Sequence, residues 1–536
     1  DGGAGVDTLN FGSTVQFSVE TTDLLNVKNI EKITFDTSNA TNSTIAFDDN
    51  FFTSNGSTSI IVLDTETSGA LTVTGAAMTD ADNSLTIYSA NAASKNDSFT
   101  GGPGADTFIF ASTNDADVID GSDTIAGGKG SDTLQITTLT IAANIAITTA
   151  VTSVENFTFK GVGTTASAYT LADASVVTSA LQGNTGTIDA TGMTGSGGLT
   201  FDGSAENDSD LVITGGRGAD TLTGSNTTVS AFSGAGLFDT IKGGDGADII
   251  NGKAGIDVLW GEGGNDDFRV TTLTDFISLT SAETVDGGSG TDTLTFDVDS
   301  ATTVAAADLQ GIKSVEVLEF EGTGADVLTL SDSVFTSNGT TAIRINETDG
   351  SATFTLNAGG VSSANAITYR HSNATNDADA TESLTFGAGN DMAQFRNGAR
   401  FDTADVISFG GGTDTLNLWA AGTAISATLT NVTSVENILI TQVSNATVGL
   451  TLADGNFVST QAGTINAGGL VSALTLDASA EDDSGITITG GIGGDTITGT
   501  DAKLSGTTVL GDTIKGGNGA DIIDGSLGAD TITGGA

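Results

Sequence analysis

The stretch Gly234–Arg269 reads GAGLFDTIK, GGDGADIIN, GKAGIDVLW and GEGGNDDFR, four nine-residue phrases in continuous phase. Their common plan is Gly-Gly-x-Gly-x-Asp-x-apolar-x. Glycines at the front allow positive φ and close approach of backbones. The sixth residue of each phrase, Asp239, Asp248, Asp257 or Asp266, supplies a hard oxygen suited to a cation such as calcium. The apolar residue two positions later lies on one face of an extended segment, so a short strand can point it inward. One unit therefore joins a turn, a ligand and a core side chain. Calcium takes six to eight oxygens, so a lone aspartate cannot hold it and neighbouring turns have to stack.

The phrase recurs along the whole chain. Clean copies start at Gly2, Gly101, Gly127, Gly215, Gly243, Gly287, Gly490 and Gly516, adding Asp7, Asp106, Asp132, Asp220, Asp292, Asp495 and Asp521 as sixth residues. Phe386–Gln394 and Phe409–Asn417 have fewer glycines but keep Asp391 and Asp414. A second tandem block, Thr507–Lys515, Gly516–Asp524 and Gly525–Thr533, places Asp512, Asp521 and Asp530 in phase. Degenerate neighbours (Ala92–Thr100, Val118–Ala126) and the acidic clusters Glu206–Asp210 and Glu481–Asp483 stand beside clean copies and could complete a ligand shell. Departures such as Lys253 in place of the second glycine put full occupancy in doubt.

The nonapeptide resembles the calcium-binding repeat of RTX (haemolysin-type) proteins. The resemblance implies a parallel β-roll in which turns two repeats apart share an edge and an ion, held by sixth-position aspartates and glycine-loop carbonyls. It pairs Asp239 with Asp257, Asp248 with Asp266, and Asp512 with Asp530, with Gly243, Gly261 and Gly516 opening the loops. Sparse motifs between long Thr/Val/Ala-rich strands look most like proteobacterial RTX-type S-layer proteins.

Composition agrees with cations as partners. The chain has 16 basic and 67 acidic residues, a formal charge of −51 over 536 residues. That argues against nucleic acid and anionic membrane. No cysteine is present, so neither disulfides nor thiolate metal sites exist. One proline among 74 glycines leaves turns to Gly, Asn and Asp. No run of about 20 uninterrupted apolar residues occurs, so membrane insertion is not expected.

A longer period overlies the short one. Asp7 and Asp292 are 285 residues apart, and the Phe-Thr-Ser-Asn-Gly landmarks Phe52–Gly56 and Phe335–Gly339 are 283 apart. The Ser-Val-Glu-Asn phrases at Ser153 and Ser434 are 281 apart. The chain reads as two copies of two halves each: 1–126, 127–286 with a β-roll at 234–269, 287–408, and 409–536 with a β-roll at 507–533. In each half a Val-Glu or Ile-Glu phrase follows the glycine turn: Ile30–Phe35, Val154–Phe159, Val315–Phe320 and Val435–Ile440. Short, evenly spaced strands with polar turns indicate an all-β solenoid or sandwich. With the resemblance, the expected fold is all-β, with elongated parallel β-roll or β-solenoid segments carrying RTX calcium turns, internally duplicated. Helical periodicity is weak, and the best short-helix candidates are Leu171–Gln182 and Leu452–Thr460.

Catalysis is not expected. A single histidine, His371, excludes a His-Glu-x-x-His zinc motif, and no Gly-x-Ser-x-Gly elbow occurs. His371 reads as a surface residue, and Trp260 and Trp419 as core residues on strands. The expected function is a calcium-dependent structural protein of the bacterial cell surface, self-assembling into an S-layer or extracellular filament. The alternatives are a calcium-rigidified RTX adhesin or biofilm protein, or the non-catalytic RTX region of a secreted protein. Expected partners are other copies of the chain and, through a region outside it, cell-surface polysaccharide. Type I secretion fits the absence of an N-terminal signal, and the echo of Val285–Phe296 across the joined ends suggests a longer array.

Overall fold

The computed structural model describes residues 1–536 except 13–15, 37–41, 66–68, 90–95, 113–122, 139–143, 148–149, 164–165, 174, 177–184, 208, 227–238, 277–283, 323, 349–352, 372–380, 397–400, 421–423, 443–444, 459–461, 505–507 and 536. The chain divides into two units, Asp1–Arg269 with Thr274–Asp292, and Val270–Leu273 with Thr293–Ala536. Each is a parallel β-solenoid.

In the first unit, strands alternate between two sheets in chain order. Thr8–Phe11, Lys32–Phe35, Ser59–Asp64, Ser84–Ser89 and Thr107–Ser112 follow one another in one sheet. The intervening Ser43–Asp48, Leu71–Ala77 and Ser98–Thr100 lie in the other. A sandwich would require antiparallel neighbours; here every pairing of these strands is parallel, which only a coil that returns through the opposite sheet provides. The inward apolar position, which in the nonapeptides follows the aspartate by two residues, stacks on itself from coil to coil: Phe108, Leu134, Phe157, Ile188, Ile213, Ile241, Leu259 and Val285 are consecutive register partners. All eight are buried. Inward rings from the two sheets meet, as in Phe159 against Tyr169 at 4.2 Å.

The second unit repeats the plan. Leu294, Leu318, Ile345, Tyr369, Ala393, Leu416, Ile438, Ile465, Ile488 and Ile514 form the corresponding column. Lys503–Leu504 and Thr508–Val509 form an antiparallel pair within it.

Helices fall elsewhere than the sequence suggests. Leu171 ends the strand Ser167–Leu171, and residues 452–458 are turn and irregular backbone; 174, 177–182 and 459–460 lie outside the described residues. Leu452 and Phe457 are apolar because they plug a solenoid corner, where buried Asn456 donates to the carbonyls of Leu429 and Val432. Seven-residue helices instead occupy Asp49–Asn55 and Asp332–Asn338, each ended by a left-handed glycine, Gly56 and Gly339. These contain the duplicated Phe-Thr-Ser-Asn-Gly landmark. Its asparagine is a clasp: Asn55 exchanges two hydrogen bonds with the backbone of Ile30 (2.9 and 2.7 Å), and Asn338 does the same with Val315 (2.8 and 2.5 Å).

Both tryptophans depart from expectation. They sit half-buried on outward-facing strand positions, Trp260 beneath the Lys242 ammonium (5.1 Å) and Trp419 beneath the Arg396 guanidinium (4.5 Å). Strand alternation explains this, since each adjoins an inward residue, Leu259 or Leu418. His371 is also misplaced by the sequence reading: it is buried, not on the surface.

Candidate metal centre

The glycine turns lie where the coil enters a strand, and the sixth-position aspartate is the residue just before it. In most copies it is withdrawn from solvent. Asp106, Asp132, Asp220, Asp239, Asp248, Asp257, Asp266, Asp292, Asp391, Asp414, Asp495 and Asp512 are all buried, while Asp7, Asp521 and Asp530 are half-buried. Ordinary solvated Asp-Gly turns would not look like this.

The aspartates form ladders. The backbone N–H of one donates to Oδ1 of the aspartate one coil later: Asp106 to Asp132 (2.7 Å), Asp220 to Asp248 (2.7 Å), Asp266 to Asp292 (2.9 Å), Asp391 to Asp414 (2.7 Å) and Asp495 to Asp521 (3.0 Å). The three pairs implied by the tandem blocks are joined in the same way, Asp239 to Asp257, Asp248 to Asp266 and Asp512 to Asp530, each at 2.9 Å. Those pairs are 18 residues apart; elsewhere the longer coils separate ladder partners by 23 to 28 residues, which is why the short period breaks.

Burial sets the electrostatics. It pushes the carboxyls of Asp132, Asp248 and Asp414 up to about 7, with neighbouring ladder carboxylates adding to the rise. Asp220, Asp239, Asp266 and Asp391 are pushed up to about 6, again chiefly by burial.

Two kinds of turn differ in what they offer the second oxygen. At Gly101, Gly215 and Gly490 the N–H of the second glycine (Gly102, Gly216, Gly491) donates to Oδ2 of the turn's own aspartate, at 2.7, 2.7 and 2.8 Å. In the other kind, the second and fourth positions are left-handed: Gly3 and Gly5, Gly128 and Gly130, Gly244 and Gly246, Glu262 and Gly264, Gly410 and Gly412. There Oδ2 of Asp7, Asp132, Asp248, Asp266 and Asp414 is buried without a hydrogen-bond donor. Lys253 adopts the same left-handed backbone (φ 67°) as the glycine it replaces, so that departure leaves the turn intact.

The first glycine is where the turn closes on its own aspartate. A Cβ on Gly516 would lie 2.5 Å from Asp521 Oδ2 and 2.6 Å from the Gly534 carbonyl oxygen. Gly243 and Gly261 are hemmed in by the same two kinds of oxygen, from Asp248 and Gly261, and from Asp266 and Gly287. Carboxylate and carbonyl oxygens thus converge on a space only glycine leaves open. Hard oxygens without donors fit calcium, and the left-handed turns are the ones that would hold it.

Glutamates of the Val-Glu phrases, absent from the sequence-level ligand set, extend the ladders. Glu31, Glu155 and Glu436 accept the N–H of Asp7 (2.8 Å), Asp132 (2.7 Å) and Asp414 (2.7 Å) through Oε2. Each follows a left-handed Asn29, Ser153 or Ser434 by two residues, an arrangement that stands in for the glycine turn. Their spacing of 22 to 24 residues from the preceding aspartate, one coil, was the available signal. Degenerate turns contribute too, since Asp97 donates its N–H to Asp123 Oδ1 (3.0 Å). The leading residues of those turns, 92–95 and 118–122, and of Gly234–Lys242 and Thr507–Lys515 (234–238 and 507), lie outside the described residues. Of the acidic clusters, buried Glu481 gathers with Asp483 and Asp454 within 4.8 Å, and residue 208 of the other is outside the described residues.

Among known proteins, a family model described as RTX calcium-binding nonapeptide repeat (4 copies) matches residues 90–116, 118–135, 202–226, 234–271 and 509–536. No curated protein and no solved structure matches the chain.

Proposed function

From the premise that this chain carries RTX calcium-binding nonapeptide repeats on a parallel β-solenoid, we propose that it is a calcium-built structural protein of the bacterial cell surface, assembling with its own copies into a layer or filament. The observation that carries the calcium part is the row of buried aspartates whose Oδ2 atoms have no donor. Calcium supplies positive charge and a demand for several oxygens at once, so it cross-links successive turns. The protein's own groups do the rest: Oδ1 clamps the preceding coil, left-handed glycines open the pocket, and the apolar column keeps the coils in register. Sites of this kind fit the millimolar calcium outside cells, and a non-catalytic role fits a body made of repeats.

Duplication supports assembly over single-site recognition, because both units present the same scaffold. No helix among the described residues is long and apolar enough to cross a membrane. The test has two readouts on the full chain. Chelation is expected to remove most of the β signal in circular dichroism, and calcium to restore it. With calcium, electron microscopy is expected to show sheets or fibres. A chelator-insensitive spectrum sinks the calcium scaffold; dispersed monomers with a calcium-dependent spectrum sink only the assembly.

A further inference from the structure

We propose that Glu347, His371 and Glu382 form a site for one borderline divalent transition-metal ion of the zinc type, separate from the calcium turns. His371 is the only histidine of the chain and is 1 % exposed; Glu347 and Glu382 are 1 % and 0 % exposed. Ala342–Glu347 and Ala366–His371 are adjacent parallel strands whose final residues are register partners, so both side chains enter the interior at one level. Glu382 opens the strand Glu382–Thr385 in the opposite sheet. The three meet between the sheets. His371 Nδ1 is 2.9 Å from Glu347 Oε2 and 3.0 Å from Glu382 Oε1, and one ligand atom from each residue falls within 4.8 Å of the others.

The alternative occupant is a proton, and it serves the geometry poorly. One Nδ1–H can point along a straight bond to only one of two carboxylates at nearly equal distance, 2.9 and 3.0 Å. Asp405 adds a third carboxyl, accepting the N–H of Glu382 at 3.1 Å through Oδ1 and the N–H of Asp402 at 2.8 Å through Oδ2. Glu347, Glu382 and Asp405, all buried, thus bring three carboxyls into the interior beside a single imidazole. A divalent ion would satisfy Nδ1 and both glutamates together.

Donor type selects the ion. Calcium takes oxygen alone, whereas one imidazole nitrogen with two carboxylate oxygens suits zinc and its neighbours. A tetrahedral zinc shell puts its ligand atoms about 3.3 Å apart, so each Nδ1–oxygen distance has to open by only about 0.3–0.4 Å. The imidazole lies against the Phe395 ring at 6.2 Å, giving the site an apolar wall. No residue of the site is a nonapeptide aspartate, so it stands or falls independently of the calcium turns.

Because the site is buried, loading is best done during folding. The full chain would be refolded in calcium with and without Zn²⁺, desalted into millimolar calcium, and its zinc content measured by plasma mass spectrometry. The lone imidazole would be followed by NMR in the same samples. One zinc per chain is expected to survive desalting, with the imidazole resonances shifted and no longer titrating. His371→Gln is expected to weaken zinc at least as much as the roughly 10–100-fold that loss of an outer partner costs. Absence of retained zinc, with an imidazole that titrates as a carboxylate-paired imidazolium, overturns the proposal. Equal retention by the variant does so too, because the acidic turns would then be the binders. Should His371→Gln not fold, the wild-type imidazole spectrum decides alone.

Discussion

Asp248 performs two tasks with one side chain. Oδ1 accepts the amide of Asp220 at 2.7 Å, while Oδ2 is buried with no donor. Burial, then Asp220, Asp266 and Asp245, push its carboxyl up to about 7. A folded-state value above the unfolded one means the metal-free fold binds more protons than the unfolded chain. Stability from this source is present in acid and is lost as pH rises from about 4 through about 7. Metal-free protein is therefore expected to melt at lower temperature at pH 8 than at pH 5, by circular dichroism. Calcium affinity should strengthen over the same window as protons stop competing; a metal-free melting temperature that climbs with pH would contradict the buried ladder. Asp248→Asn keeps the Oδ1 acceptor and removes the charge. Calorimetry should find fewer calcium ions bound, with metal-free stability at pH 8 raised. Asp248→Ala also orphans the Asp220 amide, at a cost of about 1–3 kcal/mol.

At the level of the element, the first glycine of the turn has no room for a side chain. Gly261→Ala would drive a methyl into Asp266 Oδ2 and the Gly287 carbonyl, whereas a Cβ on Gly411 meets nothing within 4 Å. The first substitution is expected to cost about 1–3 kcal/mol and a calcium equivalent, the second close to nothing, in paired denaturant melts. Asn338→Ala removes both bonds to Val315 and should likewise cost about 1–3 kcal/mol. The glycine turn, the buried aspartate's place before the strand and the inward apolar position were legible in the sequence because each nonapeptide states turn, ligand and core within nine residues, while the parallel coil followed only from the resemblance. Partners one coil away were not. Glu155 meets Asp132 only after a 23-residue circuit, and Asn338 meets Val315 after another of the same length. The apolar spacing at Leu452–Thr460 resembles a helix because a corner plug and a helix face look alike over so short a stretch. His371 looked superficial for a related reason: its glutamates come from a neighbouring strand and the opposite sheet.

For the whole molecule, charge governs. A formal −51 with only 16 cationic side chains makes the metal-free chain repel itself. At 0.15 M salt screening reaches about 8 Å, so ladder partners in contact stay largely unscreened while surface acids do not. Raising sodium chloride should restore only a small part of the compactness that calcium gives, as read by small-angle X-ray scattering of the metal-free protein. A radius of gyration brought to the calcium-bound value by salt alone would mean that surface repulsion, and not the buried ladder, sets the calcium requirement.

The clamp between coils also runs in both directions. In every ladder pair among the described residues the amide belongs to the earlier coil and the carboxylate to the later one. The next amide along runs the other way: Thr133, Ile249 and Thr415 donate to the carbonyls of Asp106, Asp220 and Asp391, one coil earlier. Removing a coil from the C-terminal side therefore strands the aspartate's own amide, and removing one from the N-terminal side strands the amide that follows it. A coil is complete on this edge only between two neighbours, so a lost coil opens a donor on each side of the gap.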